Sequence, residues 1–426
     1  MDSIEDTAQI SSLVKIADIY GPLNQARNEI RLLQWVSSPE DNDTVVHWRL
    51  FTVSLLEQPK YIALSYVWGD ASITENVTIN GKTVPVTTSL AAGLERVRKS
   101  VEIPDSSVFF WADALCINQK DALERNSQVQ MMRSIYSKAM MVFSWLGLDE
   151  DPASTLYAIF FFMINVKEQR SPQPAGVHPM QWMLKYPELW TVHEDSHGKN
   201  LFWAAVRKFF HNTYWTRVWI LQEMVLGKEV WLMGKTSSIL LDDVVRFTDI
   251  ALMFELSEVS RPDFAPLEIW SIISQKGYFV INTLLHVIQY RRHEVDPNKL
   301  LIGTTTLLAS DPRDKIFGLQ ALAPDAIPSP DYTMSVRQVY CEVAPKLVSQ
   351  GPMFLTFFFN HSGFGQDFYD DFQLPSWVPN WDFISKATRR REIHTVAPSN
   401  SEWPSDMSIS INRDLSENIH PFNHCH

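Results

Sequence analysis

The chain has 426 residues, 45% of them hydrophobic and 20% charged, with 15 Trp and 24 Phe. That is the composition of a globular protein able to bury a large, aromatic-rich core. A formal net charge of −12, with Arg389 to Arg391 as the one basic cluster, excludes a nucleic-acid backbone as the main partner, because phosphate neutralisation needs grouped cations.

The N-terminus, MDSIEDTAQI, is acidic and has no apolar stretch, so no secretory signal and a cytoplasmic location are expected. The longest apolar run, Leu156 to Ile164, is too short to span a bilayer, so no membrane span is expected. Cys116, Cys341 and Cys425 have neither disulfide nor zinc spacing. For a cytosolic chain, the sequons at Asn42, Asn76 and Asn360 read as chance matches.

Residues 1–60 form a lead-in in which EIRLLQWV and TVVHWRLFTVSL have strand composition. YIALSYVW, from Tyr61, is almost continuously apolar, as a strand covered on both faces must be. In VTINGKTVPV, Asn80-Gly81 sits between two β-rich runs and predicts a type I′ hairpin. Ser89 is placed to cap a helix carrying Leu90, Leu94 and Val97. A second strand is expected over Val108 to Ile117. A helix capped by Asp121 and Glu124 follows, with Val129, Met132, Ile135, Tyr136 and Ala139 on one face.

MVFSWL, Met141 to Leu146, reads as the third strand. Residues 149–200 break the pattern as an irregular insertion. Beyond it come a helix from about Tyr214 to Leu226, ended by Gly227, and a strand from Glu229 to Met233. The alternation predicts four parallel strands with helices on both faces. Residues 235–385 read as a mainly helical C-terminal extension, in which DPRDKIFGL starts a helix capped by Asp311 with Pro312 at its first position. Residues 386–426 read as a disordered tail.

Several blocks carry a family resemblance. YIALSYVWGD, then Phe110 to Gly147, then RVWILQEMVLG, in that order, resemble the blocks of the HET (heterokaryon incompatibility) domain of filamentous fungi. DPRDKIFGL, PDY (Pro330 to Tyr332) and LPSWVPNW resemble segments that often follow that domain. The resemblance implies a role in non-self recognition and regulated cell death. The partners it implies are further copies of the chain or other incompatibility and signalling proteins.

HET domains resemble TIR domains, some of which cleave NAD. This implies a TIR-like, flavodoxin-type parallel sheet over residues 61–234, with 149–200 as an insertion that TIR domains lack. It also implies NAD as substrate, with no resident cofactor and no metal. Trp219 and Glu223 repeat the Trp-to-Glu spacing of four on the TIR helix that carries the catalytic glutamate.

Glu223 is accordingly the candidate catalytic residue, a lone carboxylate in an apolar helix. Spacing of four puts Trp219 on its face, where an indole can stack on a ligand. The structural alternative is an ion pair with Arg217 or Arg313. Open parallel sheets bind ligands beyond the carboxyl ends of their strands. Ser65, Tyr66, Trp68 and Gly69 lie there on the first strand, and Asp113 and Asn118 near the end of the second. The alternative for these is loop capping and packing. Asp121 and Glu124 read as helix caps, and Cys116 as a buried small hydrophobe. HEDSH, His193 to His197, matches the zincin pattern H-E-x-x-H, but that chemistry needs a helix, and the surrounding Asp, Ser and Gly favour none.

Overall fold

The computed structural model describes residues 19–36, 47–99, 108–147, 208–209, 212–235, 237–245, 287, 290–291, 295–349, 372–375 and 378–385. The insertion at 149–200, HEDSH and the tail lie outside these residues.

Among the described residues, nine strands form one mixed sheet. In chain order they are β1 (Glu29–Val36), β2 (His47–Ser54), β3 (Tyr61–Tyr66), β4 (Thr74–Ile79) and β5 (Lys82–Thr87). They continue with β6 (Phe109–Trp111), β7 (Met141–Trp145), β8 (Val230–Met233) and β9 (Ser238–Leu240). The spatial order is β5-β4-β2-β1-β6-β3-β7-β8-β9. Its centre, β6-β3-β7-β8, is parallel throughout, as the alternating pattern predicts. The lead-in strands pair antiparallel with each other along their whole length, and β1 joins the centre through Leu33 opposite Phe110.

The helices, likewise in chain order, are α1 (Thr88–Arg98), α2 (Asp113–Cys116), α3 (Ala122–Gln130), α4 (Met132–Lys138), α5 (Ile220–Leu226), α6 (Pro297–Gly303), α7 (Asp314–Phe317) and α8 (Val336–Ser349). They cover both sheet faces. Successive side chains of a strand point to opposite faces. The Tyr61 hydroxyl donates to the Ile135 carbonyl of α4 at 2.5 Å, while a Cβ at Gly93 of α1 would touch Leu64 and the Trp145 ring at 3.4–3.5 Å. Tyr61, Ala63 and Ser65 therefore face α4, and Leu64 faces α1.

Local chemistry accounts for most of the turns. Asn80 and Gly81 both have positive φ (52° and 74°), as a type I′ hairpin between β4 and β5 requires. Asp121 caps α3 by accepting from the amides of Leu123 and Glu124.

Four local expectations are corrected. The cap of α1 is Thr87, whose hydroxyl accepts from Leu90 N–H, rather than Ser89. The second strand stops at Trp111, and Asp113–Cys116 turn into a short helix where the chain leaves the carboxyl end of the sheet for the α3 cap. The expected helix from Tyr214 is a 3-10 turn (Thr213–Thr216), then an extended Arg217, then α5. Arg217 is extended because Val218 N–H and Thr216 C=O bond to the backbone of Leu308. In the fourth, α7 begins at Asp314 rather than Pro312, since the Asp311 carboxylate grips Arg313 through its amide and guanidinium.

Gly227 ends α5 for a packing reason. Its φ of −62° is open to any residue, but a Cβ there would lie 2.8 Å from methyls of both Val142 and Val230. Gly227→Ala is expected to destabilise the fold by about 1–3 kcal/mol. Denaturant unfolding checks this, and an unchanged midpoint would show that α5 can move off the sheet freely.

Candidate functional site

The site is assembled at the carboxyl end of β3. Every residue of β3 is buried, and Ser65, near its end, lies opposite Ser144 of β7 in the parallel register. Laterally paired residues share a face, so both hydroxyls look toward α5. There Glu223, in the first turn of α5 and only 3% exposed, accepts a hydrogen bond from the Ser65 hydroxyl. The Tyr214 hydroxyl, from the preceding 3-10 turn, stands 2.7 Å from Ser65 Oγ. Ser65 has one proton and gives it to Glu223, so Tyr214 is the donor to Ser65. The Tyr136 hydroxyl, from α4, also acts on Glu223.

Burial pushes the Glu223 carboxyl up from its ordinary value, against the opposing pull of Arg217 and the Ser65 hydrogen bond. For Arg217 the balance runs the other way: burial works against its charge, but Glu223 and Asp113 outweigh it and raise it. Its Nη1 also caps the end of β3 by donating to the Tyr66 carbonyl at 2.5 Å. Tyr214 and Tyr136 are both raised, by burial first and by the Glu223 charge second. A buried carboxylate with such neighbours is a polar network in which each member fixes the next.

The sequence-derived candidates divide into two groups. Ser65, Tyr66, Asp113 and Glu223 come together. The Tyr66 hydroxyl is buried beside Asp113, without a hydrogen bond of good geometry, and is raised by burial and then by that carboxylate. Trp68 is 41% exposed and donates its indole N–H to Asp113 Oδ2 at 2.9 Å, standing at the rim of the cluster. Gly69 follows it in a left-handed turn (φ 73°).

Two others are engaged elsewhere. Asn118 gives its amide N–H to Glu124 and accepts from Lys120, holding the loop before α3. Trp219 points its indole N–H at Asp314 Oδ2, 3.1 Å away in α7. Of the ion-pair alternatives for Glu223, Arg313 is bound to Asp311, and Arg217 is the cation that acts on it.

Tyr214, Tyr136 and Ser144 were not legible as site residues. Each is an ordinary apolar-run residue by pattern, and only the register and the packing of α4 on α5 bring the Tyr136 and Tyr214 hydroxyls to Glu223 and Ser65, with Ser144 beside Tyr214. Glu124 also exceeds its expected capping role: its carboxylate forms a two-point ion pair with Arg31 of β1 at 2.6 and 2.9 Å. Cys116 is buried as expected. Its thiol accepts weakly from Ala112 N–H and is pushed up to about 12, chiefly by burial. Among the described residues no group of three or more His, Cys, Asp or Glu could hold a metal ion, and no helix is long and apolar enough to cross a membrane.

Residues 61–223 match the family model described as heterokaryon incompatibility protein (HET). Over 410 residues the chain is 25% identical to heterokaryon incompatibility protein 6, OR allele, of Neurospora crassa, across 83% of this chain and 58% of that protein. The chain thus spans somewhat more than half the length of the curated relative it matches. No solved structure matches it.

Proposed function

Since the chain belongs, through residues 61–223, to the heterokaryon incompatibility family, we propose that it acts in fungal non-self recognition and regulated cell death by cleaving NAD at Glu223. The observation that carries this reading is a buried carboxylate at the carboxyl end of a parallel strand, hydrogen-bonded to hydroxyls rather than to a guanidinium. Taken alone, the four parallel strands have the spatial order second-first-third-fourth, which is the start of the flavodoxin order and supports a TIR-like reading.

The chemistry suits one carboxylate. The bound nicotinamide ring already carries a positive charge, so it takes the bonding pair and leaves the ribosyl carbon as a neutral molecule with no general acid. Water adds to that carbon and loses its proton to solvent. Glu223, ionised, would accept from the ribose hydroxyls in place of Ser65 and stabilise the oxocarbenium-like charge that grows on the sugar. Trp68, exposed at the rim, offers a ring face to a base. Because Glu223 is 3% exposed, ligand entry needs α5 or the Trp68 loop to shift, which fits activation by self-association.

The second reading is a non-catalytic recruiting module. The same burial favours it, with Ser65 and Tyr214 simply satisfying a structural carboxylate. Incubating the purified protein with NAD, free and artificially clustered, separates the two. Nicotinamide release on clustering is expected. Its absence in both states, with the protein folded, would leave the recruiting module as the function.

A further inference from the structure

DPRDKIFGL and PDY play no part in the site as described, yet they meet at one carboxylate. Asp314 Oδ2 accepts from the Trp219 indole at 3.1 Å and Oδ1 accepts from the Tyr332 hydroxyl at 2.6 Å. The Tyr332 ring is held between two guanidinium groups, with Arg125 of α3 at 3.5 Å from its centre and Arg313 at 5.2 Å. Arg313 is itself pinned by Asp311 and by the carbonyls of Tyr332 and Met334. Asn126 of α3 bonds both the Tyr332 amide and the Asp331 carboxylate. The extension is therefore fastened to α3 and to the start of α5 at once.

The fastening reaches Glu223 by a short path. Trp219 is the residue before α5 and one turn from Glu223, and its carbonyl accepts the Glu223 amide. Leu308 pairs with Thr216 and Val218 on the same stretch. Gly318 lets α7 come close, since a Cβ there would meet Val218 Cγ1 at 3.0 Å.

We infer that Asp314 is a positioning residue for Glu223, setting where α5 begins by holding the indole of Trp219. The inference rests on the reading of Glu223 as the reacting carboxylate. A carboxylate is the one small group able to accept from an indole N–H and a phenol at the same time on separate oxygens. Protonation turns one oxygen into a donor and releases one of the two bonds.

Burial raises Asp314 to about 6, with the Tyr332 and Trp219 hydrogen bonds and Arg125 opposing the rise and Asp311 adding to it. Arg313 and the phenols of Tyr332 and Tyr340 are the other ionisable groups that feel its charge. The hold on Trp219 is thus complete above that pH and loosens below it.

The test uses the full chain labelled with 5-fluorotryptophan, the Trp219 signal being assigned by its loss in Trp219→Phe. In the unsubstituted protein that 19F signal is expected to titrate with a midpoint near 6, and in Asp314→Asn to stay flat. On clustered protein with NAD as probe, Asp314→Asn should lower kcat by roughly 10- to 100-fold, the scale of a small misplacement of a reacting group, with KM nearly unchanged. Tyr332→Phe, which removes a bond that favours the ionised form, should move both the 19F midpoint and the acid limb of kcat to higher pH. This variant carries the test if Asp314→Asn does not fold.

Unchanged kcat in Asp314→Asn beside an inactive Glu223→Gln would overturn the inference and leave the site reading intact. An unmoved midpoint in Tyr332→Phe would overturn it as well. If Glu223→Gln cleaves NAD normally, the site reading fails and the inference falls with it.

Discussion

Replacing Glu223 with Gln is expected to cut NAD cleavage steeply and leave the fold standing. The expectation about stability follows from the direction of the titration. A carboxyl whose folded value lies above its ordinary one binds its proton more tightly in the native state than in the unfolded chain, so its charge costs stability in the native site. Where the folded value is raised, ionisation costs stability as pH climbs through the interval between the two values, and the Gln side chain removes that cost. The amide oxygen still accepts from Ser65, and Arg217 keeps Asp113 and the Tyr66 carbonyl as partners.

Unfolding should then lie within about 1 kcal/mol of the parent, the range of a conservative change that leaves no charge buried alone. Turnover should fall by roughly 100- to 1000-fold, as when a group aimed at transition-state charge is removed. Thermal or denaturant melting and nicotinamide release, measured on the same preparation, decide the matter. A loss of about 3–5 kcal/mol would instead mark Glu223 as half of a buried ion pair with Arg217. A variant that melts normally and still cleaves NAD would remove Glu223 from the chemistry.

The second large effect concerns an ion pair outside the Glu223 network. Arg31 is 1% exposed in the middle of β1, and Glu124 of α3 meets its guanidinium with both carboxylate oxygens. The remaining guanidinium bonds go to the carbonyls of Cys116 and Gly21, and the Tyr20 ring lies 4.7 Å away. Glu124→Ala strands a buried cation and also frees the Asn118 amide that Glu124 accepts. A loss of about 3–5 kcal/mol is expected, seen as a lower denaturant midpoint. Adding Arg31→Met to that variant removes the stranded charge and should restore much of the loss, because an apolar side chain of similar length suits the site. If the double variant is no more stable than Glu124→Ala, the pair is not what holds α3 against β1, and the cost comes from the Asn118 loop.

What could be read without the structure was whatever short stretches of chain decide by themselves. The continuous apolar runs at Tyr61–Tyr66 and Met141–Trp145, with amphipathic helices between strands, announced a parallel centre because such strands must be dry on both faces. Asn80-Gly81 announced its hairpin, and Asp121 its cap, because positive φ and an orphan amide are settled within a few residues. Glu223 stood out because a carboxylate inside the apolar ILQEMVL is costly to bury without a partner. Where neighbours along the chain were not the deciding ones, the reading slipped. The break at Arg217 answers to a partner elsewhere, the backbone of Leu308, and the short α2 to the route from the central strand β6 to α3.

The tertiary structure alone decided the pairings. Arg31 and Glu124 are 93 residues apart, and Ser65 and Glu223 are 158 apart. Nothing in either local pattern names the other, and β1 became a neighbour of the central strands only through the order of the sheet. Trp219 shows the same limit from the other side. Its spacing from Glu223 put it on a ligand-facing surface, but an indole N–H next to a buried carboxylate goes where that hydrogen bond is, and Asp314 lies in the extension. Periodicity and turn chemistry act within one turn or one strand, so the sequence carries them openly. The choice of partner for a buried polar group is made by the fold, once the sheet order and helix packing have brought distant residues within 3 Å of each other.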